Sequence, residues 1–204
     1  MKQLNSIEGE YKGVRQGTGV ADNRYSTHSQ TAITTGSKII VMSAAEVWFL
    51  RAEAALRNYT SENVENCYKQ GITVSFAQWD ASGVSEYLEN TNKPAAYVDA
   101  FDKKFDADAP TSITPKWDES APLELKLERI ITQKWLAIYP EGCEAWAEQR
   151  RTGYPKLFKV VVNNSSNAIS TDVEGLVSCG EDFESGLERV VDRLAAGFKD
   201  TLGQ

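Results

Sequence analysis

Apolar residues crowd residues 41–57 until little polar face is left. Val47, Trp48, Phe49, Leu50, Ala52, Ala54, Ala55 and Leu56 follow Ser43 and Glu46. The three-residue spacing of Ser43 and Glu46 predicts a capping box, each side chain meeting the other's free backbone N–H at a helix start. A helix apolar nearly all round belongs between other helices, so this one is expected to be buried. After a turn at residues 58–61, Val64, Cys67, Tyr68, Gly71, Ile72, Ser75, Phe76 and Trp79 recur at steps of three and four and form the seam of a second helix. Gly71 costs that helix about 1 kcal/mol against alanine, which points to another helix crossing closely there.

A second pair begins near Ser120. Pro122 suits a first helical turn, where its missing N–H is not needed. Leu127, Ile130, Ile131, Trp135, Ile138 and Tyr139 mark the buried stripe that follows. Pro140 and Gly142 stop this helix and let another start, through Ala145, Trp146 and Ala147 to Arg150 and Arg151. Gly153 is placed as a left-handed C-cap, and Pro155 prevents continuation. Two helical hairpins with short turns and small residues at a crossing have the form of tetratricopeptide-type units, although no 34-residue self-similarity runs along the chain.

Composition narrows the function classes. A net charge of −7 without a basic stripe excludes a phosphate-backbone reader. The three cysteines, Cys67, Cys143 and Cys179, have neither zinc spacing nor an even count for disulfides, and Cys67 falls on a core seam. No metal site and no cofactor is expected. The single histidine, His28, lies in a polar loop-like stretch where a solvated or hydrogen-bonded imidazole is the ordinary reading, and no Gly-x-Ser-x-Gly elbow accompanies it. Asp118-Glu119 and Glu181-Asp182 each precede a predicted helix, where carboxylates cap free N–H groups. Gly13, Gly17 and Gly19 lack the strand and helix of a nucleotide cradle. No catalytic residue emerges, and the chain reads as a non-enzyme. The charged pairs read as scaffolding: Glu53 and Arg57 at i, i+4, and helix-ending Arg150-Arg151, whose guanidinium forks can join carboxylates across helices.

Trp48, Trp135 and Trp146 sit on apolar helical stretches and are expected in the core. Trp79, Tyr87, Tyr97, Phe101, Phe105 and Trp117 lie in or beside the looser residues 80–118, where rings can either stack on a sugar face or pin the loop to the body. Two or more coplanar exposed rings with hydrogen-bonding neighbours would favour the first.

The runs at residues 43–57, 68–76, 116–120, 127–140 and 150–158, including Glu46-Val-Trp-Phe-Leu-Arg51, Tyr68-Lys-Gln-Gly-Ile72 and Arg150-Arg-Thr-Gly-Tyr-Pro155, resemble the C-terminal part of SusD/RagB-type outer-membrane proteins. The similarity runs in order from about residue 41 to 172. The resemblance implies an all-α, tetratricopeptide-like fold and surface lipoproteins two to three times this length. It implies glycan capture without catalysis for a TonB-dependent transporter of the SusC type. It places the principal glycan contacts largely before the matched region, so no binding residue is carried over to a position here. It also implies an outer-membrane, surface-exposed lipoprotein, although residues 1–10 show neither an apolar h-region nor a lipobox cysteine.

The domain expectation is one helical unit over residues 1–204: an irregular extension at 1–37, a helical core at 38–160 and a divergent tail at 161–204. Beyond residue 172 the family's closing pattern is replaced by a run in which Phe183, Leu187, Val190, Val191, Leu194, Phe198 and Leu202 form an amphipathic stripe. That tail is either a divergent ending or a shifted reading frame; as a helix it covers apolar surface or offers a dimer face. The competing function is a helical-repeat scaffold that binds protein and touches no sugar.

Overall fold

The computed structural model describes residues 39–162 continuously, with residues 12–15, 25, 28, 29, 33 and 35–37 before them. The tail stripe, Cys179, Glu181-Asp182, Gly17 and Gly19 lie outside the described residues. Five α-helices appear among those described: α1 (Ala44–Leu56), α2 (Val64–Gln78), α3 (Val84–Leu88), α4 (Leu123–Ala137) and α5 (Gly142–Thr152), with a 3₁₀ turn at Lys103–Phe105. The one strand-like feature among the described residues is an isolated antiparallel bridge between Tyr97 and Ala107. The all-α architecture of helical hairpins predicted from periodicity is the one observed.

Local chemistry sets the helix ends. Ser43 Oγ accepts the Glu46 N–H at 3.0 Å, while the Glu46 carboxylate turns towards Lys134 Nζ, 3.6 Å away. Half of the predicted capping box therefore forms, because a buried ammonium attracts the other half. Asn63 Oδ1 caps α2 by accepting the Asn66 N–H at 2.8 Å. Gly153 closes α5 at φ 74°, in the left-handed region that favours glycine.

α1 packs on α2 and α4. Ala45, Phe49, Ala52 and Leu56 line the buried face of α1 and meet Cys67, Tyr68 and Ile72 of α2 and Leu127, Ile130 and Ile131 of α4. A Cβ on Gly71 would lie 2.7 Å from Phe49 Cζ, so the glycine is there to let the Phe49 ring lie against the backbone of α2. Burying that ring contributes about 1.5–3 kcal/mol.

Three expectations are corrected. α1 is not enclosed: Val47 and Leu50 remain 41% and 37% exposed on its outer side. Trp135 and Trp146 are not core residues, being 37% and 58% exposed, and Trp48 is only half-buried. The stripe of α4 is rotated from the predicted one. Lys134 takes the inward position at 1% exposure while Trp135 and Tyr139 face outwards, because its ammonium is drawn to the buried carboxylates of Glu46 and Glu148 and to the part-exposed one of Glu144.

Candidate functional site

Lys134 is the centre of the densest charged cluster among the described residues. Its Nζ lies 3.0 Å from Glu144 Oε1 and 3.0 Å from Glu148 Oε1 on α5, and 3.6 Å from Glu46 on α1. Arg151 extends the cluster: its Nη1 and Nη2 each donate to Glu53 at 2.6 Å, and Nη2 also donates to Glu148 at 2.7 Å. Arg57 Nε donates to the same Glu53 at 2.9 Å. The arginine fork thus joins two buried carboxylates from different helices, as the helix-ending pair foreshadowed. Burial opposes the charge on Lys134, but hydrogen bonds and attraction from Glu144 and Glu148 outweigh it and raise its pKa. Burial likewise opposes ionisation of Glu53, and the bonds from Arg151 and Arg57 overcome it and hold the pKa below the usual carboxylate range. Lys134 and Glu53 are thus favoured in their charged forms, and the ion pairs fasten α5 to α1 and α4.

A second knot ties the N-terminal residues to the loop at residues 97–107. The Asp99 carboxylate accepts from Tyr25 Oη at 3.0 and 3.1 Å, from Tyr97 Oη at 3.0 Å, and from the Phe101 and Asp102 N–H groups at 2.9 Å. Burial works against its charge, but these donors together hold its pKa below the ordinary value. Arg15 donates to the carbonyls of Phe105 at 3.0 Å and Lys159 at 2.6 Å, bridging both ends of the described chain. His28 is packed edge-on against Tyr25, 5.1 Å between centroids, and tilted against Phe101 at 6.1 Å. At 5% exposure it is neither solvated nor hydrogen-bonded, for both ring nitrogens lack partners. Burial and Lys12 lower its pKa against the pull of Asp99. Proton-shuttling chemistry needs a partner in reach, and this imidazole has none.

The loop aromatics mostly pin the loop. Phe105 and Trp117 are buried, at 1% and 7% exposure; Trp117 packs 5.1 Å from Tyr68, whose hydroxyl donates to the Pro115 carbonyl at 2.6 Å. Tyr87 leans on Phe76 and exchanges hydrogen bonds with Gln133 at 3.0–3.1 Å. Trp79 stands 6.5 Å from the half-exposed Tyr139, the planes 48° apart. The ring pairs among the described residues meet at 36° to 89°, and none forms a coplanar stacking platform. No metal-binding cluster of His, Cys, Asp or Glu is found among the described residues. Cys67 is buried and Cys143 exposed. No helix among the described residues is long and apolar enough to cross a membrane.

Sequence reasoning missed Lys134, Asp99 and Arg15. Lys134 carried a signal: it continues the register of Leu127, Ile130, Ile131 and Ile138, where an apolar residue was due. Asp99 and Arg15 act through partners up to 144 residues away, which no local pattern displays.

Residues 1–177 match the SusD-like family model, described as Susd and RagB outer membrane lipoprotein. Among solved structures, a chitin-binding SusD homologue from Flavobacterium johnsoniae is 42% identical, with a TM-score of 0.77 over 83% of this chain and 36% of that one. A SusD homologue from Bacteroides vulgatus is 44% identical with a TM-score of 0.75, over 84% of this chain and 37% of that one. One from Bacteroides thetaiotaomicron is 38% identical with a TM-score of 0.76 over the same shares. The chain thus spans little more than a third of the length of these relatives. No curated protein matches it.

Proposed function

Because the chain belongs to the SusD-like family of outer-membrane lipoproteins, we propose that it serves in the non-catalytic capture of an oligosaccharide at the cell surface and its delivery to a TonB-dependent, SusC-like transporter. The observation that carries this reading is the likeness to a homologue described as chitin-binding, at 42% identity and a TM-score of 0.77. Among the described residues, the two polar clusters around Lys134 and Asp99 are ion pairs and hydrogen bonds that hold elements in place. Affinity electrophoresis against a panel of soluble polysaccharides and chito-oligosaccharides tests it. Retardation by at least one glycan, with the sugar recovered unshortened, is the expected result. Cleaved sugar overturns the reading, as does mobility unchanged across the panel.

A second reading has its own support. The tilted and edge-on ring pairs fit a helical scaffold that docks protein and leaves the sugar to other segments of the fold. On that reading the chain binds a SusC-like transporter and shows no retardation on any glycan gel.

A further inference from the structure

We propose that His28 is a proton-operated latch: in mild acid, uptake of a proton by its ring parts the N-terminal residues around Tyr25 and His28 from the loop at residues 97–107, while the helical core stays folded. The inference is independent of sugar binding. It rests first on where the ring sits. His28 lies on the seam between Tyr25, from its own segment, and Phe101, from the loop, with ring centroids 5.1 and 6.1 Å away. At 5% exposure it has lost almost all contact with water, and neither Nδ1 nor Nε2 has a hydrogen-bond partner. A neutral imidazole can be held there, but an imidazolium would bring a second N–H donor and a full charge into the same aromatic packing.

The charged groups that act on the ring come from both sides of the seam. Lys12 opposes protonation and Asp99 favours it, and burial together with Lys12 outweighs Asp99. Asp99 is not free to turn to the ring, because Tyr25, Tyr97 and the N–H groups of Phe101 and Asp102 already donate to its oxygens. Beyond it, Asp102 is paired with Lys104, and Arg15 donates to the Phe105 and Lys159 carbonyls. Parting the seam hydrates the imidazolium and breaks the Tyr25–Asp99 bonds that cross it. Asp99 is not the trigger. Its folded pKa lies below the ordinary 3.8, so the stability it lends is present above that value and lost only as pH falls beneath it. The folded value of His28 lies below 6.5, so its penalty grows as pH falls from 6.5 through that value. Mild acid above the carboxylate range therefore acts on the seam through His28, the single histidine of the chain.

Two measurements on the tag-free chain test this. With one histidine present, its Cε1–H proton resonance titrates without ambiguity, and a midpoint below 6.5 is expected. Amide exchange between pH 7.5 and 5.0 is followed in parallel, on peptides spanning residues 97–107 and, for reference, on peptides of α1 and α2. Corrected for the intrinsic rate at each pH, protection of the loop is expected to fall by up to about tenfold per pH unit from 6.5 downwards and to level off below the measured midpoint. The reference helices keep their protection, and His28→Phe removes the fall. The onset and the levelling are read in the native chain, so they decide the matter even if the variant packs poorly. A midpoint at or above 6.5, as for an imidazolium held by the rings or by Asp99, overturns the proposal. So does loop protection that is constant across the range, falls equally in His28→Phe, or is lost in step with α1 and α2, the last meaning that the whole chain melts.

Discussion

At Gly71 the absence of one carbon decides how closely two helices approach. Gly71→Ala gains about 1 kcal/mol of helix propensity, but its Cβ would meet three atoms of the Phe49 ring within 2.9 Å. Overpacking of a filled core costs about 1–3 kcal/mol, so a net loss is predicted, read as a lowered midpoint in urea unfolding. His28 gives a pH-dependent counterpart. Its folded pKa lies below the ordinary 6.5, so the unfolded chain binds the proton more readily. His28 therefore adds nothing to the pH dependence well above 6.5, and a penalty grows as pH falls from there through the lowered folded value. Thermal unfolding between pH 7.5 and 5.5 should show this slope in the native chain and a shallower one in His28→Phe; equal slopes would remove His28 from the account. At this scale, much was legible beforehand. Gly71, Gly153, Ser43 and the Glu53–Arg57 pair act within one or two turns, where spacing determines geometry. The state of His28 was not, since its burial is made by Tyr25 and Phe101 together.

Elements are held by two different forces. α1, α2 and α4 share an apolar core, whereas the buried residues of α5 are Glu148 and Gln149, and ion pairs tie it to Lys134 and Glu53. Lys134→Met is predicted to cost about 3–5 kcal/mol, because it leaves buried carboxylates without their cation. Amide exchange should quicken in α5 before it does in α2; uniform quickening would mean the cluster supports the whole core instead. The pH dependence follows from the same charges. The depressed pKa of Glu53 gives stability that is present above its unfolded value and lost as pH falls through the folded one. The raised pKa of Lys134 gives stability present below its ordinary value and lost as pH rises through the folded one. α5 should therefore be most firmly docked across the neutral range and loosen at both extremes, which tryptophan fluorescence from the exposed Trp146 can follow. Periodicity found these helices but misplaced the faces of α4. A 3.6-residue repeat fixes which residues share a stripe and leaves open which stripe a buried network will claim, so Trp135 was expected where Lys134 lies.

Over the whole molecule, the ordered runs from residue 43 to residue 158 carried the family, and the match over residues 1–177 agrees with them. No glycan site was legible in the sequence. Sugar recognition depends on rings brought together across a fold, and the candidates at residues 79–117 divide between loop anchors such as Phe105 and Trp117 and half-covered rings such as Trp79 and Tyr97. The division of the chain into an irregular extension, a helical core and a divergent tail stands as a proposal, which limited proteolysis with mass analysis can test by cutting first outside residues 38–160. The central claim is capture without catalysis. It is tested most directly by titrating chito-oligosaccharides and starch-derived oligosaccharides into the protein in a calorimeter and then analysing the recovered sugar by mass. The account predicts saturable heat with at least one of them and sugar of unchanged mass. Shortened sugar, or no saturable heat from any of them with the helical fold intact, would contradict it.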